Sequence, residues 1–196
     1  MKKIMFNDRY GLTQAVLEGK KTMTRRIIKG IYEAVIHLKY EGSFIGKTVD
    51  GDSVILPRPA YRVGEEVWIA QSYKNLGYKP NDYIENAEGG YQQAQELAGF
   101  TNKMFVRSLY LMHRIHITNI KVERLQDISD DDCLKEGVEK WIDCYIVPGI
   151  MENHGKNNVC FDTPREAFAA LINRISGRGT WQSNPWVYAY TFELVK

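Results

Sequence analysis

Residues 114–137, RIHITNIKVERLQDISDDDCLKEG, predict one strand followed by one short helix. Isoleucine alternates with polar residues at the start of this segment, and because that is the period of a strand with one buried face, we predict a strand from Arg114 to Leu125. Ser129 with Asp132 three positions later is typical of a helix start, and Gly137 is typical of a helix end. This pairing of strand and helix indicates a mixed fold.

Further elements are predicted on both sides of this segment. Before it we expect a strand at Lys2 to Phe6 and a helix capped by Asp8 and ended by Gly19. A hairpin region follows from Gly30 to Pro59, with turns at Glu41-Gly42 and Asp50-Gly51. The next expected elements are a strand at Val67 to Ala70, a short helix around Tyr91 to Leu97 and a strand at Lys103 to Leu109. After it we expect a helix opened by Thr163-Pro164 and a last strand from Trp186 whose alternating aromatic residues form a core face. Because strands outnumber helices, the predicted fold class is α+β around a mostly antiparallel sheet or small β-barrel.

Composition excludes several classes of protein. The chain has 196 residues, 44% apolar and 26% charged, which is typical of one soluble globular domain. No apolar run is long enough for a membrane span, so we expect no membrane partner and a cytoplasmic location. The three cysteines are odd in number and form no CxxC pair, which speaks against a disulfide framework and against a zinc site and favours a reducing compartment.

We predict no metal and no cofactor. His113 and His116 would point to opposite faces of a strand, so they are poorly placed to share an ion. The chain has no P-loop, no GxSxG and no GxGxxG that follows a strand and opens a helix.

A basic stretch, GKKTMTRRI at residues 19–27, stands out against a formal net charge of only +2. Lys20, Lys21, Arg25 and Arg26 lie within seven residues, with no acidic residue among them. The stretch follows a predicted helix end, where the helix dipole favours cations, so a solvated helix end is one interpretation. The other is a local site for an anion or for an activated amine.

Several motifs in order resemble those of the ASCH domain family. They are EGKKTMTRR, RVGEEVWIAQSY, RIHITNIKVERLQDIS, DDDCLKEGV, RGTWQ and NPWVYAYTFEL. The resemblance covers nearly the whole chain except insertions near 31–56, 75–102 and 139–161. It implies a single domain over 1–196, built as a small PUA-like β-barrel with flanking helices. The family was proposed to bind RNA, and small bacterial members are amidohydrolases that remove an acetyl group from the exocyclic amine of cytidine.

The resemblance also implies catalytic residues. The family motif G-[KR]-K-T-x-T puts Lys21 and Thr24 in the places of the catalytic lysine and threonine, and Glu136 is the closest match to the catalytic glutamate. A threonine hydroxyl is inert until a neighbour takes its proton, and Lys21 can do so only if its pKa falls, a direction in which Arg25 and Arg26 push it. In an extended segment Lys21 and Thr24 would face opposite ways, so a bulge or a turn is required.

Candidate ligand-binding residues surround this motif. They are Lys20, Arg25, Arg26, Gln71, Trp181 and Asn184. The arginines suit phosphate, and exposed indole or amide groups in a loop suit a planar ligand. Ala70-Gln71-Ser72 replaces an Arg-Glu-Thr-like run of most relatives, but Gln71 still offers hydrogen bonds to a base edge.

Three functions stay open on the sequence alone. The first is a module that binds RNA, a nucleotide or a modified nucleobase in a basic cleft. The second is an amidohydrolase acting on an acylated cytidine-type nucleoside in that cleft. The third is an interaction protein whose basic stretch is a solvated helix end. The sequence does not give the oligomeric state.

Overall fold

A computed structural model describes residues 2–30, 32–37, 44–152 and 157–195. The strands are β1 (Lys3–Ile4), β2 (Met23–Ile27), β3 (Ala34–His37), β4 (Phe44–Lys47), β5 (Ser53–Ile55), β6 (Glu66–Ile69), β7 (Tyr83–Glu85), β8 (Tyr91–Gln93), β9 (Arg114–Arg124), β10 (Glu139–Trp141), β11 (Cys144–Ile146), β12 (Met151–Glu152), β13 (Asn157–Asn158) and β14 (Trp186–Val195). The helices are α1 (Leu12–Leu17), α2 (Asp130–Lys135), α3 (Pro164–Ser176) and α4 (Thr180–Ser183).

A five-stranded sheet in the order β1-β6-β9-β14-β2 forms the centre of the molecule. β1 and β6 run parallel, and every other neighbouring pair is antiparallel. The α+β prediction is therefore confirmed, as is the long strand at β9. Within the described residues the sheet has two open edges, β1 and β2, and is not a closed barrel.

The last strand, β14, lies in the sheet interior and is buried on both faces. Tyr188, Tyr190 and Phe192 belong to the apolar core, which confirms the predicted aromatic core face. Val187 and Ala189 are also buried because the opposite face is covered as well. The result is a central strand that reads as a nearly continuous apolar run.

Helix caps follow the predicted chemistry at α2 and α3. The Ser129 side chain accepts a hydrogen bond from the Asp132 backbone N–H, and Thr163 with Glu166 forms a complete capping box. α3 then buries Phe168 and Leu171 in the core. Both helix positions were predicted, and both are confirmed.

The N-terminal helix begins differently from the prediction. Asn7, not Asp8, provides the cap, because its side chain accepts from the Arg9 backbone N–H of a short 3-10 helix, Asp8–Tyr10. α1 follows after Gly11, and Gly19 has φ +73°, the left-handed conformation predicted for the helix end. The predicted helix is thus confirmed and its predicted cap is wrong.

Residues 73–111 pack a second apolar cluster, beside the main core. Tyr73, Ile84, Ala94, Val106 and Leu111 are its buried members.

Two predictions in this region are wrong. The expected strand at Lys103 to Leu109 is a pair of 3-10 turns, Lys103–Phe105 and Ser108–Tyr110, because the Asn102 side chain caps the first and apolar residues there do not alternate between faces. The expected helix around Tyr91 to Leu97 is strand β8 followed by the 3-10 helix Ala94–Glu96.

The hairpin region between Gly30 and Pro59 is confirmed as strands β3, β4 and β5, which form a separate antiparallel sheet. Gly51 has φ +86° in the predicted turn between β4 and β5. The predicted turn at Glu41-Gly42 lies outside the described residues.

Cys144 and Cys160 form a disulfide, which corrects the expectation drawn from the odd cysteine count. β11 carries Cys144, and backbone hydrogen bonds between Tyr145 and Phe161 bring Cys160 beside it, so two residues that are distant in sequence become neighbours. Cys133 is free and buried. Among the described residues, no helix combines the length and the hydropathy that crossing a membrane needs.

Candidate active site

A cavity of about 600 Å³ opens beside β2, between the segment that follows β1 and helix α3. Its polar wall contains Lys21, Thr24, Arg25, Arg26 and Glu136. Its apolar wall is formed by Phe6, Leu12, Phe168, Leu171 and Ile172. The volume lies within the range of about 300–1,000 Å³ that is usual for small-molecule sites.

Lys21 reaches this cavity because the chain turns before β2 begins. The backbone N–H groups of Lys20 and Lys21 both donate to the Ala15 carbonyl at 2.9 Å, which wraps the chain around the end of α1. Lys21 is therefore not part of an extended strand, whereas Thr24 is the second residue of β2. This turn, required by the sequence argument, lets both side chains line the same cavity.

Glu136 arrives from the opposite direction, at the C-terminal end of α2. Gly137 follows with φ +103°, and a Cβ at this position would lie 2.8 Å from Leu12 Cδ2 and 3.7 Å from Lys21 Cδ. Only glycine fits this backbone and this space without strain, so Gly137 allows the helix end to approach Lys21 closely.

Lys21 and Glu136 form a buried ion pair. Lys21 Nζ donates to Glu136 Oε2 at 2.7 Å and to the Glu136 carbonyl oxygen at 2.7 Å. The two side chains are only 2% and 5% exposed. The nitrogen has one bonding position left after these two contacts, a third N–H when it is charged and a lone pair when it is neutral.

Burial lowers the pKa of the Lys21 amine below its usual value, because desolvation penalises the charged form. Glu136 opposes this effect, and Arg26 and Arg25 add to it. The expected downward shift is present, but its largest cause is burial rather than the neighbouring arginines.

Arg25 is saturated by carboxylates. It makes four hydrogen bonds, from Nε and Nη2 to Glu123 at 2.9 and 2.6 Å, from Nη2 to Asp132 at 3.2 Å and from Nη1 to Glu136 at 3.1 Å. Its side chain is 1% exposed, and the pKa of the guanidinium is raised because Glu136 and Glu123 outweigh the desolvation that lowers it. Arg25 is thus a structural support of Glu136 with little capacity left for an external phosphate.

Thr24 is buried, yet its hydroxyl is left for the cavity. Throughout the described chain no group forms a hydrogen bond to Thr24 Oγ1, and this oxygen is not among the fully enclosed polar atoms without a partner. A hydroxyl in this state can donate to or attack a ligand without first breaking an internal bond.

Four predicted ligand-binding residues lie away from this cavity. Lys20 is exposed and pairs with Glu18 at 2.6 Å, as a solvated helix end would. Gln71 lines a separate cavity of about 430 Å³, where its Oε1 lies 3.1 Å from His113 Nδ1. The remaining two, Trp181 and Asn184, are not among the residues that line this cavity.

Trp181 and Asn184 have structural contacts of their own. The Trp181 ring packs on Phe168 with centroids 6.1 Å apart, and the Arg165 guanidinium covers it at 5.6 Å. Asn184 Oδ1 accepts a hydrogen bond from the Gln126 backbone N–H at 2.8 Å. These contacts use the groups that the sequence argument assigned to a planar ligand.

Several residues of the site have no signal of their own in the sequence. Glu123 and Asp132 hold Arg25, and Phe6 and Phe168 provide the apolar wall. Glu123 was visible only as one polar position of a strand, since nothing local shows that it faces a buried arginine. The basic composition of residues 19–27 was the one available signal that carboxylates were needed nearby.

Comparisons with protein-family models, with curated proteins and with solved structures give no match to this chain.

Proposed function

We propose that the protein is an amide hydrolase of ASCH type that removes an acyl group from the exocyclic amine of a cytidine-type nucleoside. The observation that carries the proposal is the buried Lys21–Glu136 pair beside the free hydroxyl of Thr24 in one cavity wall. The order of sequence motifs supports the family assignment, and with it a PUA-like fold built around the five-stranded sheet.

The proposed reaction uses Thr24 as the nucleophile. Its oxygen attacks the acyl carbon while its proton passes to the neutral amine of Lys21, which then gives that proton to the departing cytidine amine as the C–N bond breaks. Water hydrolyses the resulting ester of Thr24 and releases the free acid. Glu136 occupies two bonding positions of the Lys21 nitrogen, and in this mechanism the third one accepts the proton.

Burial favours the neutral amine of Lys21, which is the form that a base needs. A lysine amine in water is protonated at neutral pH, whereas desolvation lowers the pKa of this one towards the working range of a general base. The neighbouring Lys20 has the opposite environment, because it is exposed and its pKa is raised by Glu18.

The test is hydrolysis of cytidine acetylated on its exocyclic amine, measured with wild type and matched variants. We expect Lys21→Ala, Lys21→Arg and Thr24→Ala to lose about a thousandfold or more of the rate, since each removes the base or the nucleophile. Thr24→Ser retains part of the rate because it keeps a hydroxyl. Lys20→Ala is the control and keeps the wild-type rate.

Two results would reject the mechanism. One is a wild-type rate in Lys21→Arg, because a guanidinium stays protonated and cannot accept the proton. The other is full activity in Thr24→Ala. Each variant is checked by its melting temperature, so that an unfolded protein is not taken for an inactive one.

A module that binds a nucleotide or modified nucleobase without hydrolysing it is the second candidate. The cavity itself favours it, because an apolar wall facing hydrogen-bonding groups suits a planar base. Tight binding of cytidine or its acetylated form with no turnover in wild type would select this candidate over the hydrolase. Binding of a short RNA that contains cytidine would make RNA the ligand of such a module.

A further inference from the structure

The cavity holds more positive charge than its own carboxylates neutralise. Its lining contains the cations Arg9, Lys21, Arg25, Arg26 and Lys103 and the carboxylates Asp8 and Glu136. The excess of cations decides which ligands are favoured there.

Three of these cations have carboxylate partners. Lys21 is bound by Glu136, and Arg25 by Glu136 and by two carboxylates outside the cavity. Lys103 Nζ lies 2.8 Å from Asp8 Oδ1. Both carboxylates of the cavity are therefore already engaged.

Arg9 and Arg26 are left without a carboxylate among the residues that the structure describes. Arg26 donates from Nη2 to the Met5 carbonyl at 2.8 Å, and its other N–H groups make no internal hydrogen bond within those residues. The Arg9 guanidinium lies 5.8 Å from the centre of the Tyr10 ring, and it has no hydrogen-bonded partner in the same set. Both side chains border the cavity that contains Lys21.

The two arginines also differ from Lys21 in depth. Arg9 is exposed and Arg26 is partly exposed, whereas Lys21 is buried. The free positive charge therefore lies at the mouth of the cavity, and the amine that we propose as the base lies at its inner end. A ligand that satisfies both ends carries its anionic group outward and its reacting group inward.

We propose that Arg9 and Arg26 form a phosphate subsite and that the substrate is an acylated cytidine nucleotide rather than the nucleoside. This inference rests on the proposed function for the identity of the base, but the subsite itself concerns binding. A planar guanidinium offers paired N–H groups that match two phosphate oxygens, and partial burial strengthens such contacts relative to water. The phosphate stays at the mouth while the acylated amine reaches Lys21.

The experiment measures binding of the products, so it needs no turnover. Affinities for cytidine 5′-monophosphate and for cytidine are determined by calorimetry with wild type, Arg9→Gln, Arg26→Gln and Arg26→Lys. Arg58→Gln is the control, since it removes one exposed arginine outside the cavity and changes the net charge equally. A dinucleotide and a short RNA containing cytidine form a further arm, which separates a free nucleotide from an RNA phosphate as the source.

We expect wild type to bind the monophosphate about tenfold or more tightly than cytidine, as charge-assisted hydrogen bonds allow. Arg9→Gln and Arg26→Gln should each reduce this preference about tenfold, and Arg26→Lys should keep part of it. Arg58→Gln should leave the preference unchanged. Tighter binding of the RNA than of the monophosphate would assign the phosphate to RNA.

Three results would overturn the subsite. They are equal affinity of wild type for the two ligands, no measurable binding of either, and an undiminished preference in both glutamine variants. An equal loss of the phosphate preference in Arg58→Gln would also count against the subsite. It would show that the preference depends on the net charge of the protein and not on Arg9 and Arg26. Hydrolysis of the acetylated nucleoside without a phosphate preference leaves the proposed function standing and rejects this inference. Phosphate preference without hydrolysis supports the phosphate subsite and rejects both the proposed function and the assignment of a nucleotide substrate.

Discussion

Replacing Glu136 by Gln tests whether Lys21 is held as a buried, charged partner. The substitution keeps the size of the side chain but removes its charge and leaves one acceptor oxygen in place of two, so the contacts at 2.7 Å to Lys21 and 3.1 Å to Arg25 cannot both remain hydrogen bonds. Arg25 retains Glu123 and Asp132, whereas Lys21 retains no carboxylate among the described residues. The loss of the Glu136 charge therefore destabilises mainly the charged form of Lys21.

The expected loss of stability follows from two limits. Removing one partner of a buried ion pair typically costs about 3–5 kcal/mol. Lys21 can avoid part of this cost by losing its proton, which costs about 1.4 kcal/mol for each unit by which the pH lies below its pKa in the folded wild type, and burial already lowers that pKa. We therefore expect a loss of up to about 3–5 kcal/mol in the free energy of unfolding at pH values well below that folded pKa, and a smaller loss as the pH approaches it.

The loss has a definite pH dependence. Burial lowers the folded pKa of Lys21, and Glu136→Gln removes the charge that raises it, so the folded pKa falls further in the variant. A lowered lysine pKa means that the unfolded chain binds more protons than the folded one, and stability rises with pH between the folded and the unfolded pKa. The difference between wild type and variant is largest at low pH and shrinks as pH rises through the wild-type pKa of Lys21.

Urea unfolding followed by circular dichroism at several pH values measures this difference. Glu18→Gln is the matched control, because it breaks the exposed pair with Lys20 and should cause no measurable change. A loss in Glu136→Gln that is the same at every pH, or no larger than that of the control, would refute the reasoning.

The remaining predictions concern the elements that position Glu136. Ser129→Ala removes the cap of α2 and should destabilise the protein by about 1 kcal/mol in the same unfolding assay, whereas Ser129→Asp should not, because it retains an acceptor. Gly137→Ala should cost about 1–3 kcal/mol and also lower the hydrolytic rate, because its φ of +103° and the contact with Leu12 force the helix end away from Lys21. A Gly137→Ala protein with unchanged stability would contradict this account of the helix end.

Local sequence chemistry predicted the parts of the fold that depend on neighbouring residues. Ser129, Thr163 and Gly19 act through hydrogen bonds and backbone conformations within a few positions, and all three lie where the sequence predicted. The alternation of isoleucines in β9 likewise reports a single buried face. Such signals need no knowledge of the rest of the chain.

Contacts between distant residues set the limit of that reasoning. Arg25 meets Glu123 across 98 positions, so the sequence shows a cation suited to phosphate and hides the carboxylates that occupy it. Trp181 is similar, since the sequence suggests a loop with an exposed ring, whereas the residue lies in α4 and Arg165 covers its ring. Both errors arose because a free side chain and a satisfied one look the same in sequence.

Lys21 and Glu136 are the exception, because resemblance to a motif related two residues that lie 115 positions apart. The cavity places them together with Thr24, although neither hydrophobic periodicity nor charge pattern connects them. Of the two arginines at the mouth of the cavity, the sequence predicts Arg26 as a binding residue. It does not predict Arg9, because Arg9 lies outside the basic stretch.

The pH dependence of kcat/KM for acetylated cytidine tests the central claim most directly, because this quantity reports the ionisation of the free enzyme. The account predicts that wild-type kcat/KM rises with pH through a single group whose pKa lies below that of an ordinary lysine, as the Lys21 amine loses its proton. An absence of turnover at every pH would contradict the account. So would a kcat/KM that does not change with pH below the pKa of an ordinary lysine.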